Sequence, residues 1–271
     1  MAKWVNVGLL AVLAAACSGG AEAGPATVAG VGDLPGVVAT ISIVTVPDAT
    51  STTVARGVQP VRPADLGEPT IAEISTGNRV MVIGDSITAS TAPRFGGSMC
   101  EVLTEAGWFV EINAEPGRFV TFADTVLDAR LNLGGDDDWD AAVLFLGSNY
   151  DGDRARFSAL YNDALDRLAP RPVVVLTVTE FAASRIEVNE VIRAAAQERD
   201  AVQLIDWAVI TENEPGLLAR DGLHLSSAGG SRLVTEVALA LGPAVVTTVE
   251  SRCAPTLFTD DEVGSGDDED L

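Results

Sequence analysis

Only one histidine occurs in the 271 residues, His224, in the segment Asp221-Gly222-Leu223-His224. Any chemistry that uses an imidazole base must therefore use this one. A serine hydroxyl is a weak nucleophile near neutral pH; it needs a base within hydrogen-bond reach, itself oriented by a carboxylate. Ser86 lies in Gly84-Asp85-Ser86-Ile87-Thr88, directly after an apolar run of β type. Ser86, His224 and Asp221 are thus the candidate nucleophile, base and orienting acid.

These residues need elements to bring them together. From Arg79 onward, short apolar runs alternate with longer amphipathic stretches. Residues 80–83, 109–112, 141–146, 173–178 and 202–205 are predicted strands, several of them apolar at consecutive positions, as in parallel strands covered on both faces. Residues 99–106, 122–131, 154–168, 187–199 and 227–241 have helical spacing. In 154–168, Phe157, Leu160, Tyr161, Ala164, Leu165 and Leu168 make one apolar stripe. Five β-α units imply a three-layer α/β/α sandwich around a five-stranded parallel sheet with right-handed crossovers. Ligand sites in such sheets lie beyond the carboxyl ends of the strands. There Gly84-Asp85-Ser86 follows the first strand, Glu115-Pro116-Gly117-Arg118 the second and Gly147-Ser148-Asn149 the third, while Asp221 and His224 precede the last helix.

These blocks resemble the SGNH hydrolases, the GDSL-type esterases and lipases, over about residues 80–242: Gly84-Asp85-Ser86, Gly117, Gly147-x-Asn149 and Asp221-x-x-His224, in that order. The resemblance implies a flavodoxin-like fold and a serine ester hydrolase that needs no cofactor and no metal. Ser86 would be the nucleophile, His224 the general base and Asp221 its orienting carboxylate. The oxyanion hole would comprise the backbone N–H groups of Ser86 and Gly117 and the side-chain amide of Asn149. Two departures stand out. Tyr150 follows Asn149 where relatives often carry aspartate, and Ile87-Thr88 replaces the leucine of the name motif. Each residue also has an ordinary structural reading. Ser86 or Asp85 can cap a helix, Gly117 can serve a turn and Asn149 an Asx-turn, and His224 can be an exposed histidine. The role of Asp85 stays open.

Other motifs fail on placement. Ser75-Thr76-Gly77-Asn78 is phosphate-loop-like but precedes the first strand. Asp136-Asp137-Asp138 and Asp151-Gly152-Asp153 lack EF-hand spacing. One histidine with separated cysteines makes no catalytic zinc site, and no dinucleotide fingerprint follows a strand.

A formal charge of −22 argues against nucleic acid or an anionic membrane surface as partner. Residues 1–17 read as an export signal, with Lys3 ahead of an apolar stretch at 5–16 too short to span a bilayer. Leu13-Ala14-Ala15-Ala16-Cys17-Ser18 resembles a bacterial lipobox, which would lipidate Cys17 and anchor the chain in the cell envelope; cleavage at an Ala-x-Ala site would secrete it instead. Residues 18–77, with six prolines between Pro25 and Pro69, read as a flexible tether, within which 37–46 has the composition of an edge strand. The domain spans 78–258, and 259–271 is an acidic tail too polar to pack. In an exported chain, Cys100 and Cys253 are expected to form a disulfide.

The expectation is therefore an exported serine esterase acting on small acyl esters, acetyl foremost, on a small molecule or glycan. An acyltransferase on envelope glycans would use the same residues. A catalytically silent glycan-binding domain would not need them all. The acyl group, the alcohol and the oligomeric state are not legible.

Overall fold

In the computed structural model, residues 69–131, 139–256 and 258 are described. The export signal with Cys17, residues 18–68, the triple aspartate at 136–138 and the acidic tail lie outside them.

The described chain alternates strands and helices: α1 (Ile71–Ile74), β1 (Arg79–Gly84), α2 (Ser86–Ala89), α3 (Met99–Glu105), β2 (Phe109–Ala114), α4 (Phe122–Arg130), β3 (Ala141–Phe145), α5 (Arg154–Leu168), β4 (Val173–Leu176), α6 (Ser184–Gln197), β5 (Val202–Ile205), α7 (Trp207–Asn213), α8 (Ser227–Leu241) and β6 (Arg252–Cys253). Consecutive apolar residues make the central strands double-sided: Val80, Met81, Val82 and Ile83 of β1 are all fully buried. Each such side chain contributes roughly 1.5–3 kcal/mol by leaving water. Helices α3 and α8 touch across one face of the sheet, and α4, α5 and α6 pack in succession on the other.

Every strand pair is parallel, in the order β5-β4-β3-β1-β2-β6. The chain steps from β1 to β2 on one side, then crosses back to β3 on the other side of β1. The connections leaving β1 and β3 therefore diverge, opening the crevice in which α/β sheets hold their ligands.

The sheet has six strands, not the five expected. The extra strand, β6, is two exposed residues beside Phe109 and Val110, too short to carry a periodic signal. Long-range links hold it there: Cys253 is joined to Cys100 of α3 across a Cα separation of 5.8 Å, and Ala254 N–H donates to the Val110 carbonyl. Packed structure also begins before residue 78. Ile71 is fully buried, α1 rests on α8, and Thr70 N–H is held by the Glu73 carboxylate at 2.7 Å. Asn78 is a structural clasp, its amide donating to the Gly107 and Val249 carbonyls and accepting from the N–H groups of Thr248 and Val249.

Candidate active site

The turn after β1 is tight. A Cβ on Gly84 would come within 2.1 Å of Thr88 Oγ1, so only glycine lets α2 start this close to the strand end. Asp85 caps α2, its Oδ1 accepting from Ile87 N–H at 3.0 Å. Capping thus falls to Asp85, and Ser86 is the half-buried first residue of the helix, its hydroxyl uncommitted to that bond.

Asp85 is completely buried, and loss of hydration pushes its carboxyl up to about 6. The Ile87 N–H, the Ser148 hydroxyl and backbone, and the charge of His224 partly oppose this. Its Oδ2 makes no hydrogen bond of standard geometry, so the influence of Ser148 is that of dipoles held nearby.

The loop before α8 is built around Asp221. Its Oδ2 lies 2.7 Å from His224 Nδ1, and its Oδ1 accepts the N–H groups of Leu223 and His224, both at 3.0 Å. Gly222 supplies the positive φ of 70° that folds the segment back on itself, and Ala219 N–H donates to the His224 carbonyl at 2.7 Å. The bond to His224, then those to the two backbone N–H groups, hold the Asp221 carboxyl down at about 2. With Nδ1–H given to Asp221, the imidazole presents Nε2 as the proton acceptor. Both side chains are about half exposed, at 50% and 52%, so the ring stands at an open rim.

The other two loops meet beside it. Asn149 Nδ2 donates to the Arg118 carbonyl at 3.1 Å, tying the connection after β3 to the one after β2. An amide carries two donor hydrogens, so one remains for a ligand. Gly117 has φ 74° with open space where a Cβ would stand, and the Glu115 carboxylate just before it pairs with Arg94 at 2.7 Å. Ser86 thus opens α2 after β1, Gly117 and Asn149 lie in the connections after β2 and β3, and Asp221 and His224 lie in the segment that precedes α8.

The side chains around the Asn149 loop have settled partners. Tyr150 donates its hydroxyl to Glu187 Oε1 at 2.7 Å, and its own pKa is pushed up to about 12 by desolvation and by that carboxylate. Asp151 pairs with Arg156, and Asp153 caps α5 through Arg156 N–H. Arg118 lies 5.1 Å from the Phe122 ring. Next to Asn149, a cleft of about 260 Å³ is lined by Phe119, Tyr150, Asp151, Arg156, Phe157 and Leu160 among others. Sequence reasoning missed Arg185 and Glu187 of α6, which support the Asn149 loop from 37 residues away and leave no local pattern.

Residues 82–232, more than half of the chain, match the model of the GDSL-like Lipase/Acylhydrolase family. The chain belongs to that family. It is a GDSL-type hydrolase with an α/β fold. Among solved structures, it is similar to the C-terminal catalytic domain of Streptococcus pneumoniae peptidoglycan O-acetyltransferase A (18% identity, 62% of this chain and 94% of that one, TM-score 0.49). It is also similar to a Clostridium thermocellum family 3 carbohydrate esterase (16%, 61% and 95%, TM-score 0.49) and to a psychrotrophic esterase from Pseudoalteromonas sp. (13%, 60% and 96%, TM-score 0.48). No curated protein matches the sequence.

Proposed function

We propose that the protein is a serine esterase in which Ser86 attacks an ester carbonyl, His224 Nε2 takes the hydroxyl proton, and Asp221 holds the imidazole. The observation that carries this is the Asp221 carboxylate 2.7 Å from His224 Nδ1. Negative charge gathers on the carbonyl oxygen in the tetrahedral intermediate. The N–H groups of Ser86 and Gly117 and the Asn149 amide are its donors, and one such donor is worth about 3–4 kcal/mol. His224 then gives its proton to the leaving alcohol, and water releases the acyl group from Ser86 by the same steps.

The substrate is a small acyl ester, acetyl foremost, carried on a carbohydrate. No long apolar insertion separates Ser86 from His224 to act as a lipase lid. The cleft beside Asn149 has an aromatic wall in Tyr150 and a charged rim in Asp151 and Arg156, surfaces suited to a sugar ring and its hydroxyls. The chain is exported and held at the membrane by a lipid on Cys17; Cys17→Ser would then release it into the medium.

A fluorophosphonate probe followed by p-nitrophenyl esters of rising chain length tests the reading. Ser86 should be labelled, and rates should fall steeply beyond butyryl. Full turnover in folded Ser86→Ala protein would remove the assignment.

A further inference from the structure

The amide of Asn149 can stabilise an oxyanion only if its backbone is held still, and the loop has little to hold it from within. Gly147 sits at φ 135°, a conformation that L side chains rarely adopt, and a Cβ there would lie 2.8 Å from Val188 Cγ1 of α6. The loop therefore lies directly on that helix. Its backbone is gripped from outside by Arg185, whose Nε and an Nη donate to the Ser148 carbonyl at 2.9 and 2.6 Å. This carbonyl belongs to the peptide unit that joins Ser148 to Asn149. Two N–H donors from a rigid planar group, converging on one oxygen, hold that plane and so aim the next Cα and its side chain. The guanidinium is itself held: it lies 4.7 Å from the centroid of Phe181 and 5.8 Å from that of Tyr150, with its other Nη donating to Ser184 Oγ at 2.8 Å. Tyr150 in turn is fixed by Glu187 of the same helix.

Resting on the esterase reading above, we infer that Arg185 is a positioning residue that sets the Asn149 amide in the oxyanion hole through the Ser148–Asn149 peptide, with Phe181 and Tyr150 as its side walls. The aromatic Tyr150, standing where relatives often carry aspartate, then has a use: one face steadies the guanidinium while the hydroxyl anchors to Glu187.

A double-mutant cycle tests this with p-nitrophenyl acetate as substrate. Asn149→Ala should lower kcat by about 10²–10³-fold, the usual loss for one oxyanion donor. Arg185→Met should lower kcat about 10–100-fold with KM nearly unchanged, since a displacement on the order of 1 Å costs about that much. Arg185→Lys should recover little, because an ammonium supplies charge without the planar fork. In the Asn149→Ala background, Arg185→Met should cost less than about threefold, because its effect runs through the missing amide. Thermal unfolding of each variant keeps loss of fold apart from loss of position, and Phe181→Ala, which removes one wall and no hydrogen bond, should show the same non-additivity on a smaller scale. Full recovery in Arg185→Lys, or an undiminished Arg185→Met effect in the Asn149→Ala background, overturns the inference and leaves the oxyanion assignment intact. Full kcat in Asn149→Ala removes both.

Discussion

Asp85→Asn should make the protein more stable, by an amount that depends on pH. Asp85 is fully buried and its carboxyl is pushed up from 3.8 to about 6, chiefly by desolvation. Between those two values the folded state holds a proton that the unfolded chain has lost, so stability falls as pH rises through this window. Above about 6 the penalty is complete: a difference of about two pKa units corresponds to roughly 3 kcal/mol. At about pH 4.5 most of it has vanished, leaving about 1 kcal/mol. Asparagine has no proton to lose, and its carbonyl can keep the bond from Ile87 N–H, now 3.0 Å long. Urea unfolding of both proteins should therefore show a variant whose advantage is about 2 kcal/mol larger at about pH 7.5 than at about pH 4.5. An advantage that stays constant across this range, or grows as the pH is lowered, would refute the account of Asp85 as a buried carboxylate charged at a cost.

Other outcomes follow from the geometry. Ser86→Ala and His224→Ala should each lower ester hydrolysis by several orders of magnitude with unfolding curves unchanged, and the double variant should be little worse than either, because the residues act as a unit. Asp221, held down at about 2, should remain charged throughout the working range, so Asp221→Asn should lower kcat at every pH from about 4 to 9 without creating a new acid limb in the pH–rate profile. Replacing Cys100 and Cys253 by alanine should lower stability by as much as about 5 kcal/mol in the chain-entropy picture and free the segment around Arg252, read as faster amide exchange at Ala254. Gly229→Ala should destabilise strongly, since its Cβ would stand 1.9 Å from the Leu217 carbonyl oxygen, and melting temperature would register it.

Much of this protein was already legible in the chain. The β1, β3 and β4 runs are apolar at nearly every position because parallel strands are covered on both faces, and the stripe on α5 reads at helical period; burial writes itself into local sequence in both cases. Ser86, Asp221 and His224 were legible for a different reason: each sits in a short segment whose own backbone shapes it, as Asp221 shows by accepting two N–H groups within three residues of itself. Helix α7 and strand β6 were not legible, one following β5 after a single residue and the other only two residues long. Asp85 was visible as a residue, yet its elevated carboxyl was not, because desolvation is a property of everything packed around it. Arg185 and Glu187 belong to the same class. Their importance lies in hydrogen bonds to Ser148 and Tyr150 that span 37 residues, and such bonds exist only once α6 has packed beneath the loop that follows β3. Side-chain chemistry and local turns are properties of the sequence, whereas burial and long-range aim are decided by the tertiary structure, since hydration and orientation depend on neighbours that the chain brings together only on folding.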